Sequence, residues 1–189
     1  MESIEKLLRQ PEGKTLEFKR DLSSPGPITR TLVAFANTAG GRLIIGYENQ
    51  QVVGVEDPFL EEERVCNLIA DSISPRLVPE VDLYTVDNKT ILVVQVFVSG
   101  GRPHWVKTKG PEQGVYIRLD STNRQADKQL IEEIRRSASG TSFDEMPMPE
   151  LGENDLDLES ARKIFQGISN LLPQSCRKKQ EIYLILKEQ

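Results

Sequence analysis

Glu17-Phe18-Lys19 sets a carboxylate and an ammonium two residues apart. On a strand that spacing puts both on one face. There the acid can help hold a divalent cation, and the lysine can polarise a phosphate or a nucleophile. A second segment, Asn37-Thr38-Ala39-Gly40-Gly41, ends an apolar helical run and passes straight into a strand. Its glycines permit positive φ and leave the backbone uncovered, so the corner could hold an anion or a nucleic-acid strand. Asn37 could hydrogen-bond across that corner and fix its shape. A helix C-cap with a tight turn accounts for the same glycines without any ligand.

His104 is the only histidine, and no Cys/His spacing suits a structural zinc site. A bound metal would therefore be held mainly by carboxylates, which favours magnesium or manganese. Gly41 to Tyr47 matches the opening of a GxxxxGK[ST] phosphate loop, but Tyr47 stands where the lysine must be. No ATP site is expected in these residues. Basic residues are scattered: Lys14, Lys19, Arg20, Arg30, Arg102, Lys107, Lys109, Arg118 and Arg124. Gathered by folding, they would form a groove for backbone phosphates, with Trp105 and Tyr116 as stacking faces.

The elements that must position these residues follow from periodicity. Residues 2–9 read as a short helix and 16–19 as a half-buried strand. Residues 23–27 read as a loop, 28–38 as a helix, and 43–47 as a strand buried on both faces. A hairpin is expected from there into 51–55, then a helix over 61–73. Strands at 81–86 and 90–98 turn at Asp87-Asn88-Lys89. Residues 104–108 and 114–119 suit a further strand pair, and 125–136 a helix. Hairpins packed with about four helices make the class α+β, with a mostly antiparallel or mixed sheet.

The expected domain covers 1–138. Residues 139–156 read as an acidic Pro/Ser/Gly linker, with seven acids and no base between Asp144 and Glu159. Residues 157–189 read as a helical extension, either the start of a further domain or an arm packed on this one or on a partner subunit. The net charge of −5 argues against coating nucleic acid with the whole surface. Two scattered cysteines, Cys66 and Cys176, suit a reducing compartment, so a cytoplasmic protein is expected. No membrane span and no secretory leader are read.

Four segments in order resemble the Schlafen AlbA-like domain, a family described as DNA-binding. They are Glu12-Gly13-Lys14-Thr15-Leu16-Glu17-Phe18-Lys19, then Ala34 to Gly41, then Leu43 to Glu48 with Val52 to Val55, and Val115 to Ala126. Together they span roughly residues 5–136. Two positions depart from the family's pattern. Its Gly-Val-x-Asp is Gly46-Tyr47-Glu48-Asn49 here, and its Arg-x-Gly-Ser is Arg118-Leu119-Asp120-Ser121.

The resemblance implies a nucleic-acid-binding module, as found at the front of bacterial transcriptional regulators and RecG-like helicase-related proteins. DNA or RNA would be the partner, with specificity supplied by further chain or by homodimerisation. The residues implied to bind are Lys19, Arg30, Asn37, Thr38, Gly40, Gly41, Arg118, Ser121 and Arg124. A related domain in animal Schlafen proteins is an RNA endonuclease using three carboxylates. Carried over, that activity would use Glu12, Glu17 and Glu48 on magnesium or manganese, with Lys19 beside them. Glu12 and Glu17 are five apart, so the resemblance also implies a bend at Gly13. A protein-interaction or sensory domain is the third expectation.

Overall fold

The computed structural model describes residues 3–139 and, beyond them, Lys163. The expected linker and helical extension lie outside the described residues, apart from Ser139 and Lys163. In chain order the elements are α1 (Ile4–Leu8), β1 (Leu16–Lys19), α2 (Pro25–Asn37), β2 (Gly41–Ile45), β3 (Tyr47–Glu48), β4 (Gln51–Val52) and α3 (Pro58–Ser72). They continue as β5 (Ile73–Ser74), β6 (Glu80–Val86), β7 (Lys89–Val96), β8 (Trp105–Val106), a 3-10 turn (Lys107–Lys109), α4 (Gly110–Gln113), β9 (Tyr116–Leu119), β10 (Thr122–Gln125) and α5 (Lys128–Ser139).

The main sheet runs β1-β2-β7-β6. β1 and β2 are parallel, because α2 carries the chain back between them. The other two pairings are antiparallel. The class is α+β with a mixed sheet, as the hairpin-and-helix pattern predicts. Asp87 and Asn88 (φ 50° and 58°) make the left-handed two-residue turn that suits a twisted hairpin. Asn49 and Gln50 do the same between β3 and β4.

Both faces of the sheet are covered, which is why β2 reads as a continuous apolar run. Leu43 and Ile45 pack with Leu32, Phe35, Val65 and Ile69 on the side of α2 and α3. Ile44 packs with Leu7, Leu8, Tyr47 and Ile91 on the other side. Each such fully buried aliphatic side chain contributes about 1.5–3 kcal/mol relative to exposure. A third cluster sets Ile131 and Ile134 of α5 against Val115 and Ala126.

Several boundaries differ from the sequence expectation, among them the start of α3 at Pro58 rather than residue 61 and the end of β4 at Val52 rather than residue 55, and three differences bear on the site. α2 starts at Pro25 rather than Ile28, since a proline fits the first helical turn, where no N–H is needed. α5 starts at Lys128, because Thr122–Gln125 pairs with β9 instead, and Asp127 Oδ1 caps the helix by accepting from the Leu130 N–H at 2.8 Å. The third difference is a corrected pairing. β8 joins β5 and β9 joins β10, so the expected hairpin of 104–108 with 114–119 survives only as a Trp105–Val115 bridge. The residues between coil into helical turns, and a Cβ on Gly114 would lie 2.6 Å from the carbonyls of Val106 and Gly110.

Candidate functional site

Glu17 and Arg118 form a buried hub. The alternation of β1 sends Leu16 and Phe18 to the α1 side and Glu17 to the α2 side. There Arg118 of β9 lies fully buried, its guanidinium 5.3 Å from the Phe35 ring centre. Arg118 Nη2 donates to Glu17 Oε2 at 2.6 Å. Nε and Nη2 both donate to the Gly13 carbonyl, at 3.1 and 3.0 Å, and Nη1 donates to Asn123 Oδ1 at 3.0 Å. The Asn123 amide passes the chain on to Thr31 Oγ1 of α2 at 2.9 Å. Lys19 Nζ donates to the other Glu17 oxygen and, at 3.1 Å, to the Phe18 carbonyl. A buried ion pair needs this full set of partners, since its charges have lost their water.

The Asn37–Gly41 corner is held by packing at Asn37, Gly40 and Gly41, while Ala39 is exposed. Asn37 is buried; its amide donates to the His104 and Tyr116 carbonyls at 2.9 and 3.0 Å and accepts from the His104 N–H at 2.7 Å. Thr38 Oγ1 accepts from the Arg118 N–H at 3.0 Å. Gly40 has φ +72° and donates to the Phe35 carbonyl at 2.9 Å. A Cβ on Gly40 would lie 2.8 Å from the Val96 carbonyl, and one on Gly41 2.7 Å from the Phe35 ring. Asn37 and Thr38 line a pocket of about 420 Å³ that Lys14, Arg102 and Asp120 border. His104 is buried behind the corner, its Nδ1 2.9 Å from the Pro75 carbonyl. Nε2 has no hydrogen-bond partner among the described residues. Burial pushes the imidazole pKa below its ordinary value, partly offset by the Pro75 carbonyl.

On the other side of Lys19 lies an open cleft of about 870 Å³, between the end of α1, the ends of β1 and the β3–β4 hairpin. Glu12, Lys19 and Glu48 line it together, but Glu17 does not. Its walls are tied at three points. Tyr47 Oη donates to the Leu8 carbonyl at 2.7 Å, the Phe18 N–H to Glu12 Oε1 at 2.9 Å, and Arg20 Nη1 to Glu48 Oε2 at 3.0 Å. The expected bend at Gly13 is present as a tight Gly13–Leu16 bridge. It sets Glu12 beside the backbone of Phe18, across the strand from Glu17. Among the described residues no three Asp, Glu, His or Cys side chains gather as a metal site.

Arg30, Ser121 and Arg124 line neither the cleft nor the corner pocket. Arg30 is half-buried on α2, one residue before Thr31, while Ser121 and Arg124 are exposed on and beside β10. Asp120, where the family has glycine, holds a left-handed φ of 50° in the β9–β10 turn. Tyr116 is buried under Lys109, whose Nζ donates to its hydroxyl at 2.6 Å. Lys107 donates to the Ala70 carbonyl at 2.7 Å and Arg102 to Ser137 Oγ at 2.8 Å, so these cations are held within the domain. Sequence reasoning missed the Phe18–Tyr47 pair in the cleft, its rings tilted by 40° with centres 4.6 Å apart. The signal was there in the alternation that puts Phe18 opposite Glu17.

A mixed sheet with a βαβ entry, a hub of one arginine and one glutamate, and an Asn-Thr-x-Gly-Gly corner define an α+β domain with a family. The chain belongs to the family described as Schlafen, AlbA_2, whose model matches residues 12–127. Among solved structures it is similar to the N-terminal domain of a protein from Nitrosomonas europaea named as ATP-dependent DNA helicase RecG-related. The identity is 28% and the TM-score 0.52, over 67% of this chain and 94% of that one. It shares its fold with the DIP2311 protein from Corynebacterium diphtheriae, at 20% identity and a TM-score of 0.54, over 75% of this chain and 32% of that one. No curated protein matches the sequence. Among the described residues no helix is long and apolar enough to cross a membrane.

Proposed function

We propose that this domain binds nucleic acid, as the front module of a regulator or RecG-related protein. The observation that carries this reading is the family match together with likeness to nearly the whole N-terminal domain of a RecG-related protein. Lys19, Arg30 and Arg124 would contact backbone phosphates, and such contacts give affinity without much sequence choice. Arg118, Asn37, Gly40 and Gly41 act one layer down, fixing the strands and corner that carry those cations. Lys19 has three donors and two partners, so one N–H is left for a phosphate.

A second reading, a magnesium- or manganese-dependent endoribonuclease, is favoured by one observation: Glu12, Lys19 and Glu48 share a cleft. One experiment separates the two. The chain is incubated with labelled structured RNA, single-stranded DNA and duplex DNA, with manganese or with EDTA, over a range of salt. A shift that weakens with salt, with a logarithmic slope of about −2 for three single-strand phosphate contacts, and that ignores EDTA supports binding. Manganese-dependent cleavage lost in Glu48→Gln supports the nuclease. Glu48 is the better control than Glu17, whose loss disturbs the fold itself. Neither shift nor cleavage at low salt would leave a protein-interaction domain.

A further inference from the structure

The cleft beside Lys19 has features that backbone binding does not use. It carries an aromatic pair, acids as well as cations, and walls fixed before any ligand arrives. We infer that it is a nucleotide subsite, taking one unpaired nucleotide, free or at the end of a strand, with the base on Phe18. This deepens the nucleic-acid reading and rests on it.

The volume of about 870 Å³ lies within the roughly 300–1,000 Å³ of ligand sites. Phe18 is partly buried against Tyr47, which is itself buried and pinned by its hydroxyl, so the part of Phe18 on the cleft wall is held rigid at low entropic cost. Unpaired bases are held by such stacking whatever their identity. The carboxylates are each half-committed: Glu12 Oε1 takes the Phe18 N–H and Glu48 Oε2 takes Arg20. Both residues line the cleft, and the second oxygen of each is an acceptor, which suits sugar hydroxyls and exocyclic amines. Acids at that spot oppose a run of phosphates, so the chemistry fits a single nucleoside with one phosphate. Lys19 and Arg9 on the cleft wall would meet that phosphate. Asn49 and Gln50, exposed at the hairpin tip, bring amides that can donate to and accept from a base edge.

The test is a chemical-shift map on the isotope-labelled full chain. The probes are 5′-mononucleotides, the matching nucleosides, inorganic phosphate, and an oligonucleotide. The expected result is that mononucleotides move the signals of Phe18, Tyr47, Asn49 and Gln50, while phosphate alone does not reproduce the pattern. Phe18→Leu, checked for folding by circular dichroism, should weaken mononucleotide binding at least about fivefold, the low end of a base–aromatic stack. Mononucleotides that leave the cleft signals unmoved at millimolar concentration would overturn the inference. If the oligonucleotide then still binds elsewhere, the binding-module reading stands; if it does not bind either, both fall. A mononucleotide response unchanged in a folded Phe18→Leu would also overturn it.

Discussion

Two carboxylates five residues apart meet opposite fates. Glu17 is buried, held by Arg118 and Lys19, and shut off from ligands. Glu12 lies at an exposed cleft with one oxygen on a backbone N–H. Residue type proposes chemistry, but the partner list and the burial decide whether a group is available for it. The hub uses charge to hold three segments of the chain together. The cleft keeps its charges within reach of solvent, where they cost the fold little.

If that contrast is right, the hub should be costly to break. Arg118→Ala takes the arginine donor from Glu17 Oε2 and from the Gly13 carbonyl, leaving the buried carboxylate only Lys19, and should destabilise by about 3–5 kcal/mol in urea unfolding. A loss under about 1 kcal/mol would mean that water already reaches the hub. Next in size is Asn37→Ala, which strips partners from two buried carbonyls and one N–H. The whole loss should be about 1–3 kcal/mol, read from the same unfolding curves.

The corner also predicts a pH dependence. Burial lowers the His104 pKa, so the unfolded chain binds the proton more readily than the folded one. Stability from this group is therefore complete above the ordinary histidine value of about 6.5 and falls as pH drops toward the lowered folded value. Stability measured at pH 7 and at mildly acidic pH should differ less in His104→Gln than in the wild type. Equal differences would mean that His104 does not titrate on unfolding. The smallest effect belongs to the cleft. Glu48→Ala removes an exposed ion pair with Arg20 and should change stability by no more than about 1 kcal/mol. A loss as large as that of Arg118→Ala would erase the distinction between the two regions.

Much of the frame was legible. The run from Phe35 to Gly46 announced a helix, a glycine corner and a doubly buried strand, because each has its own local period. The pairing of β8 with β5 was not, since two-residue strands carry no period and their partners lie far away in sequence. Arg118 was half-legible. Strand alternation put it on the same face as Tyr116, but that face is buried only because α2 and β1 cover it. Glu17 hid for the same reason: between Leu16 and Phe18 it reads as the polar face of a half-buried strand, and α2 with β9 close over it.

The hub also sets an order of events during synthesis. Arg118 lies 101 residues after Glu17 and 105 after Gly13. At roughly 5–20 residues per second, a ribosome takes about 5–20 s to make that interval. Through all of it β1 has its carboxylate but not its arginine. The early strands therefore gain their last tie late: a chain stopped before β9 can still pair β1 with β2, but it holds the Glu17 carboxylate with Lys19 alone.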